Sequence, residues 1–435
     1  MNLTYPKTIQ FLYGLRLFGT KLGLENAHRL AALAGNPHQE LRFIHVAGTN
    51  GKGSTCAMLE SIYRSAGLRV GLFTSPHLVS FRERIQVNRQ LISEPDVVRL
   101  VEQMQSSLEQ FPAGGHPTFF EVVTVMALRY FLEQRCDLVI WETGLGGRLD
   151  ATNIVKPLAS VITNINLDHE QWLGGALSQI ASEKAGIIKP GVPVITAADQ
   201  APAMEVIRNT AAQNHSPLTH ITAADSLAPP MDKMQLPLLG DHQRLNAALA
   251  VTTVQIAGKH IPLDNDAVRR GLERVSWPGR LQFEQISPNR AVLLDGAHNP
   301  AGAQALRAAL ERHFPAKRPT LILGILRDKD WRKMCQILAP LARRVLLAPV
   351  QSERALAPLE MELVCREIDS SLDVASFASL AQALDEAKQE PFVVISGSLH
   401  FVGEALESLN LVQASPGERG LNEWDASAAG QLAAK

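Results

Sequence analysis

The sequence predicts an α/β protein with two mostly parallel sheets, the second smaller than the first. Three observations predict it: short apolar runs alternate with helical stretches, a glycine-rich turn follows the first apolar run, and the alternation starts again after residue 280. Strands that alternate with helices are typical of parallel sheets with crossover helices. The run Leu138-Val139-Ile140-Trp141 has no polar position, which favours a sheet covered on both faces.

The first 279 residues supply the larger sheet. We predict strands at 42–47, 69–74, 137–142, 159–164 and 192–197. We predict helices at 54–66, 95–108, 119–134, 243–258 and 266–274. The glycine-rich turn joins the first strand to the first helix, and this context predicts a P-loop NTPase-like, nucleotide-binding domain.

The renewed alternation of strands and helices predicts a second, smaller α/β domain of Rossmann-like type at residues 280–412. Its strands are expected at 291–294, 320–323, 344–347 and 392–395. The segment 277–280, Trp-Pro-Gly-Arg, is predicted to be a hinge between the domains. Residues 413–435, rich in Ala, Gly and polar side chains, are predicted to form a disordered tail.

Composition and charge exclude several classes of partner. The chain has 42 Lys and Arg against 43 Asp and Glu, a net charge of −1, so no global charge favours nucleic acid or an anionic membrane. The start lacks the layout of a signal peptide, and no apolar run is long enough to span a membrane. The four cysteines have no paired spacing, which favours reduced thiols. We therefore expect a cytoplasmic protein.

The glycine-rich turn is the most informative segment. It comprises Gly48, Thr49, Asn50, Gly51, Lys52, Gly53 and Ser54. Free N–H groups at the start of a helix, the helix dipole and the Lys52 ammonium together favour a bound phosphate. The turn departs from the strict P-loop pattern, since its first glycine comes too late and Gly53 replaces the hydroxyl residue that normally holds magnesium. A glycine turn that only caps a helix is the alternative.

Polar residues follow two of the predicted strands. Glu142 ends one strand, and Asp168-His169 lies in the loop after the next. Ligands of open α/β sheets bind at the carboxyl ends of the strands, so Glu142, His169 and Lys52 are expected at one edge. Glu142 is suited to bind magnesium, and the alternative for it is a solvated acid at the end of a strand. For His169 the alternative is a histidine with only a structural role.

Eight separated motifs carry a resemblance to one family. They are Gly48 to Ser54, Thr74-Ser75-Pro76-His77-Leu78, Glu83-Arg84-Ile85, the stretch 142–153, Asp168-His169, Glu183-Lys184-Ala185-Gly186, Pro278-Gly279-Arg280 and Asp295-Gly296-Ala297-His298-Asn299-Pro300. With these motifs the chain resembles the folylpolyglutamate synthases, of which many bacterial members are also dihydrofolate synthases, in the Mur ligase superfamily. The resemblance implies the Mur ligase architecture, with an ATP-binding central domain at 1–279 and a C-terminal domain at 280–412.

The resemblance also implies a reaction. Members of this family use MgATP to phosphorylate a substrate carboxylate, and the amine of glutamate then displaces phosphate to leave an amide. Such a catalyst needs a phosphate cradle, magnesium and two substrate pockets that meet at the γ-phosphate. The expected partners are therefore small molecules, namely ATP, L-glutamate and a folate or dihydropteroate, and the expected state is a monomer.

The metal and catalytic residues follow from the same resemblance. Ser75, Glu142 and His169 are expected to hold one magnesium ion, so that the Ser75 hydroxyl replaces what Gly53 lacks. Lys184 matches a lysine that family members carbamylate, and the carbamate would be an oxygen ligand for magnesium, of which two ions are expected. For Lys184 alone, a surface salt bridge is the alternative. Lys52, His169 and Lys184 are the expected catalytic residues.

Nucleotide and substrate contacts complete the set. On the ATP side the resemblance implies Asn246 at the adenine, Arg280 at a phosphate and Asp295 at the ribose, with His298 beside it. Arg84 and Ser398 are expected near the incoming glutamate, although Ser398 also fits an ordinary turn. Asp150 and Phe120 lie in segments similar to those of the bifunctional members, and Phe120 could equally be helix core.

Four alternatives are compared with this interpretation. A monofunctional folylpolyglutamate synthase would use only the folate. A P-loop NTPase without ligase activity would hydrolyse ATP independently of glutamate, and a catalytically dead binding protein is disfavoured because every expected type of site residue is present. Murein ligases are disfavoured because only 47 residues precede Gly48, too few for their additional N-terminal domain.

Overall fold

A computed structural model describes residues 3–15, 23–112, 114–413 and 418. These residues form two mostly parallel sheets covered by helices, which confirms the predicted fold class. The predicted boundary at 279/280 falls in the loop before the first strand of the second sheet, and its assignment as a domain boundary stays a prediction. The predicted tail, 413–435, lies outside the described residues except for Gln413 and Glu418.

The first sheet contains eight strands in the described part of the chain. They are β1 (Phe43–Ala47), β2 (Val70–Phe73), β3 (Ile85–Val87), β4 (Gln90–Leu91), β5 (Leu138–Glu142), β6 (Ala159–Ile162), β7 (Val194–Thr196) and β8 (Leu218–His220). Their order is β4-β3-β2-β5-β1-β6-β7-β8. All neighbours are parallel except β2 with β3 and β3 with β4. The carboxyl ends of β1, β5 and β6 therefore meet at one edge.

In the described residues, ten α-helices accompany this sheet. They are α1 (Tyr5–Gly14), α2 (Glu25–Leu33), α3 (Lys52–Ser65), α4 (Glu94–Leu108), α5 (Phe119–Glu133), α6 (Glu170–Leu173), α7 (Leu177–Ala185), α8 (Ala201–Gln213), α9 (Asp241–Ala257) and α10 (Asn265–Glu273). Local sequence fixes where several begin. The Thr118 hydroxyl accepts from the Glu121 N–H at 3.3 Å, and the Glu121 carboxylate accepts from the Thr118 N–H at 2.7 Å, so this reciprocal cap starts α5.

The second sheet follows after residue 281. Its strands are β9 (Gln282–Ser287), β10 (Arg290–Asp295), β11 (Thr320–Leu323), β12 (Arg344–Leu347), β13 (Asp373–Ser376) and β14 (Phe392–Ser396), in the order β13-β12-β11-β14-β10-β9. Its helices are α11 (Pro300–His313), α12 (Trp331–Leu338), α13 (Pro358–Ile368), α14 (Leu380–Glu386) and α15 (Leu399–Ser408). Only β9 runs antiparallel to its neighbour. Two neighbouring strands, β14 and β10, end with Ser396 and Asp295.

The structure contains strands that were not predicted from the sequence. The hairpin β3–β4 and the edge strand β9 are antiparallel, whereas the edge strands β8 and β13 are parallel to their neighbours. The first 47 residues include α1 and α2, which pack against α4 and α5. These helices enclose an aromatic core in which Phe73 and Trp141 lie 4.4 Å apart between ring centroids. No described helix combines the length and the apolarity that a membrane crossing needs.

Candidate active site

One cavity of about 240 Å³ lies where the two sheets face each other. It brings together most of the site residues predicted from sequence: Gly48, Thr49, Asn50, Gly51, Lys52, Gly53, Ser54, Ser75, Glu142, His169, Lys184, Asn246, Arg280, Asp295, His298 and Ser398. Both domains therefore contribute to its wall. Arg84, Phe120 and Asp150 are not among the lining residues.

The glycine-rich turn is fastened to the neighbouring strand. The N–H of Thr49 donates to the Asn164 carbonyl at 2.8 Å, and the N–H of Asn50 donates to the Asn164 side-chain oxygen at 2.8 Å. Gly51 has φ +88° and lies so close to Asn246 that a Cβ would come within 2.6 Å of its Oδ1. Only glycine meets both conditions. The first turn of α3 therefore faces the cavity with its N–H groups in fixed positions.

Trp277 explains why the turn carries Gly53 where a P-loop has Ser or Thr. A Cβ at Gly53 would lie 2.9 Å from Trp277 Nε1. The Arg89 guanidinium in turn covers the indole at 5.1 Å and donates to the Ser276 carbonyl at 2.8 Å. The predicted hinge segment thus packs directly on the phosphate loop, and the space for a hydroxyl is taken by an aromatic ring.

Two lysines converge on one carbonyl in the cavity. Lys52 Nζ donates to the Gly48 carbonyl at 3.0 Å, and Lys184 Nζ donates to the same oxygen at 2.7 Å. Burial and next the Lys52 charge lower the pKa of Lys184 to about 7. Lys184 is 5% exposed. A large neutral fraction of its amine near pH 7 follows, and a neutral amine is the form that reacts with carbon dioxide.

Ser75 and Glu142 form the centre of the predicted metal site. The Ser75 N–H donates to Glu142 Oε2 at 3.1 Å, whereas the buried Ser75 Oγ has no hydrogen-bond partner among the residues described. Burial raises the pKa of Glu142 to about 7, against the opposing effect of Lys52. An unpartnered hydroxyl beside a desolvated carboxylate fits a hard cation such as Mg²⁺.

His169 lies on the other wall of the cavity. Removal from water and next the Lys329 ammonium lower the pKa of His169 to about 3, so its imidazole is neutral and retains a lone pair. Within the described ranges, no group of three His, Cys, Asp or Glu side chains is arranged to hold a metal. A metal here would depend on the mixed set of hydroxyl, carboxylate, imidazole and modified lysine.

Asp168 links the two domains across the cavity. Its Oδ1 accepts from Lys329 Nζ at 2.6 Å, and its Oδ2 accepts from Asn299 Nδ2 at 2.9 Å. Burial raises the pKa of Asp168. The neighbours His298, His169 and Lys329 outweigh this effect and hold the pKa well below its usual range. Asp168 is therefore an ionised acid with bonds to two elements of the second domain.

The predicted nucleotide residues of the second domain surround the same space. Asp295 accepts from the N–H groups of Leu281 at 2.9 Å and Ala297 at 3.0 Å, and burial raises its pKa. The Arg280 side chain is half-buried, and its guanidinium interacts electrostatically with Asp295 and Glu142. His298 donates from Nδ1 to the Gly296 carbonyl at 2.8 Å, and its Nε2 lies 3.4 Å from Asp168.

The predicted substrate residues divide into two groups. Ser398 lines the cavity, and its Oγ also accepts from the His400 N–H at 3.1 Å to cap α15. Phe120 and Asp150 lie behind Gly144 of the wall: a Cβ there would meet the Phe120 ring at 2.5 Å, and the Gly144 N–H donates to Asp150 at 3.0 Å. Arg84, 3% exposed, donates from Nε to His77 Nδ1 at 2.9 Å.

Sequence reasoning missed several cavity residues. Lys329, Arg354, His242 and His400 line it as well. Lys329 belongs to the loop after β11, at the strand's carboxyl end, which is the one signal that could have identified it. Arg354 is paired with Asp328 at 3.1 Å and belongs to the loop after β12, so the same signal applies to it.

Comparisons with known proteins agree with this geometry. Residues 46–254 match the Mur ligase middle domain, and residues 279–399 match the glutamate ligase domain of the Mur ligases. The chain is 36% identical to the dihydrofolate synthase/folylpolyglutamate synthase of Bacillus subtilis, over 94% of this chain and 100% of that protein. The Escherichia coli protein of the same description is 33% identical over 92% and 94%.

Solved structures show the same likeness. The folylpolyglutamate synthase of Thermotoga maritima has a TM-score of 0.80 at 33% identity, covering 96% of this chain and 98% of that one. The Escherichia coli FolC structure, in complex with DHPP and ADP, has a TM-score of 0.84 at 31% identity, covering 94% and 98%.

Proposed function

The chain belongs to the folylpolyglutamate synthase family of the Mur ligases, and we propose that it joins L-glutamate to the carboxylate of a folate and also to that of dihydropteroate, with ATP as energy source. As a member of this family it is a ligase that forms C–N bonds. The observation that carries the proposal is the shared cavity, in which the phosphate loop of one domain faces Asp295 and Lys329 of the other.

An activated intermediate is chemically required. A carboxylate does not react directly with an amine, because the acid protonates the amine and oxide is a poor leaving group. In the proposed reaction a substrate carboxylate oxygen attacks the γ-phosphorus of ATP and ADP leaves. The glutamate amine then attacks the acyl carbon, loses a proton and displaces phosphate.

The phosphate loop supports the first step. Lys52 lies within bonding distance of two loop carbonyls, at 3.0 and 3.2 Å, and can turn from them to a phosphate oxygen. The free N–H groups at the start of α3 and the Arg280 guanidinium add positive potential at the same place. Asn246, Asp295 and His298 are proposed to orient the base and ribose.

Magnesium would neutralise phosphate charge, and Ser75, Glu142 and His169 are the residues proposed to hold one ion. Carbamylation of Lys184 would turn a cation that shares the Gly48 carbonyl with Lys52 into an anionic oxygen ligand for a second ion. The lowered pKa of Lys184, about 7, supports this step because carbamylation needs the neutral amine.

The acceptor is proposed to lie beside the Gly144 loop, which Phe120 and Asp150 support from behind. Arg84 and Ser398 are proposed to hold the incoming glutamate. Cytoplasmic location and a monomeric state also stay predictions.

A direct assay tests the function and separates its alternatives. Purified full-length protein is incubated with ATP, magnesium, glutamate and either dihydropteroate or tetrahydrofolate, and products are identified by mass spectrometry. We expect both acceptors to gain glutamate and each to inhibit turnover of the other. Turnover of tetrahydrofolate alone would mean a monofunctional enzyme, and ADP release without acceptor or glutamate would mean an NTPase.

A further inference from the structure

Beyond Gln413 the structure describes one residue, Glu418, and it is held by several bonds. Its carboxylate accepts from the Phe81 N–H at 2.6 Å and from the Ser80 hydroxyl at 2.9 Å. Its backbone carbonyl lies 3.0 Å from His77 Nε2. Glu418 is 6% exposed, although the segment that carries it is rich in Gly, Ser and Ala. Its burial and its hydrogen bonds indicate a specific contact with the rest of the protein.

The segment that Glu418 contacts, 75–84, connects two predicted site residues. It starts at Ser75, whose N–H donates to Glu142, and ends at Arg84, which covers the Phe119 ring at 5.4 Å. We call it the Ser75–Arg84 loop. Its position decides where a predicted metal ligand and a predicted substrate ligand lie.

Two carboxylates hold the middle of this loop. Glu83 accepts from the N–H groups of Leu78 at 2.7 Å, Val79 at 2.9 Å and Ser80 at 2.7 Å. Glu418 accepts from the next N–H, that of Phe81, which is fully buried. A buried N–H without a partner is costly, so the loop conformation and the Glu418 contact favour each other.

His77 connects the same residue to Arg84. Arg84 donates from Nε to His77 Nδ1 at 2.9 Å, so Nδ1 accepts and the ring proton of a neutral imidazole is on Nε2. Nε2 then donates to the Glu418 carbonyl. The orientation of His77, and with it that of Arg84, thus depends on Glu418.

We propose that Glu418 is a positioning residue of the ligase: through Ser80, Phe81 and His77 it holds the Ser75–Arg84 loop so that Arg84 can bind the incoming glutamate. Only the last step of this proposal, the binding of glutamate by Arg84, rests on the proposed function. Glu418 itself touches neither ATP nor the reacting atoms.

Two truncated chains test the proposal. One ends at Gln413 and lacks Glu418; the matched control ends at Gly420 and retains it. Losing a hydrogen bond to a charged group is expected to raise the KM for glutamate about tenfold or more in the shorter chain, with the KM for ATP unchanged. The chain that ends at Gly420 should behave as full-length protein.

Point variants separate positioning from a general structural role. Glu418→Ala should reproduce the shorter chain, whereas Glu418→Gln, which keeps an amide oxygen for the Phe81 N–H, should recover part of the loss. An equal rise in the KM values of all substrates together with a lower melting temperature would overturn the proposal. Unchanged or higher activity of the chain ending at Gln413 would overturn it as well.

Hydrogen exchange provides a readout that does not need the proposed activity. In substrate-free protein, the amides of residues 78–82 should exchange faster in the chain ending at Gln413 than in the chain ending at Gly420. Equal exchange would contradict the proposal even in an active enzyme. Faster exchange in a protein without ligase activity would instead count against the proposed function alone.

Discussion

Lys329 Nζ lies 2.6 Å from Asp168 Oδ1, and this ion pair joins the second domain to the loop that carries His169. Both side chains are 7% exposed. A second link runs beside it, because the amide groups of Asn50 and Asn299 donate to each other at 3.2 and 3.0 Å. The phosphate loop and the start of α11 are therefore in contact.

Lys329→Ala should weaken nucleotide binding and lower stability. The substitution leaves the buried Asp168 carboxylate without its cation, a change that costs about 3 kcal/mol in typical buried pairs. We expect a lower melting temperature and about tenfold weaker ADP binding in calorimetric titration. The control is Lys333→Ala, which removes an exposed lysine of α12. Equal ADP affinity in the two variants would show that the pair does not shape the nucleotide site.

Lys184→Ala should abolish amide formation while the protein remains folded. Burial and next the Lys52 charge lower the pKa of this amine to about 7, so its charged form does not stabilise the fold. Acetate or formate should restore part of the activity if a carbamate is the missing group. In the wild-type protein, removal of carbon dioxide should reduce the rate of amide formation. This reduction should be larger below pH 7, because more of the amine is then protonated and unable to react with carbon dioxide. Near-normal turnover of the variant would rule out the carbamate.

Ser75→Ala should raise the magnesium concentration needed for half-maximal rate. The Ser75 Oγ has no hydrogen-bond partner in the part of the chain that is described, so its loss should change the melting temperature little. Ser396→Ala is the matched control, because its hydroxyl is also buried and without a partner there. The same magnesium dependence in both variants would remove Ser75 from the metal site.

His45 should make the protein less stable in acid. Burial lowers its pKa from 6.5 to about 3, so between these values the unfolded chain binds a proton that the folded chain does not. The free energy of unfolding therefore falls as pH decreases from 6.5 towards 3, by up to about 1.4 kcal/mol per pH unit for this group. His45→Gln, which can still donate to Thr152, should flatten the decrease, measured by urea unfolding at several pH values.

The exposed His313 gives the control for this measurement. His313→Gln should leave the pH dependence of unfolding as it is in wild type. A slope that His45→Gln does not change would mean that other groups cause the acid sensitivity.

The fold was predictable because its strands are apolar runs with clear helical stretches between them. The hairpin β3–β4 was not, since its turn residues Asn88 and Arg89, at φ 49° and 66°, lack the glycine that usually marks such turns. Predicted helix and strand ends differ from the structure by one or two residues, as for α3, which begins at Lys52.

The site residues that lie in sequence motifs could be predicted. The residues that reach the site through contacts between distant parts of the sequence could not. The strand-turn-helix context identified Lys52, and a strand end identified Glu142. Lys329 lies 161 residues from Asp168, and Glu418 lies 337 residues from Phe81. No local pattern encodes such pairs, because they join residues that are far apart in the sequence.

The central claim is that a substrate carboxylate is phosphorylated before glutamate is added. Dihydropteroate or tetrahydrofolate with a heavy oxygen isotope in the reacting carboxylate tests this most directly, with released phosphate analysed by mass spectrometry. The account predicts one labelled oxygen in phosphate for each amide formed, and no label when glutamate or acceptor is omitted. Phosphate released without label during amide formation would contradict it.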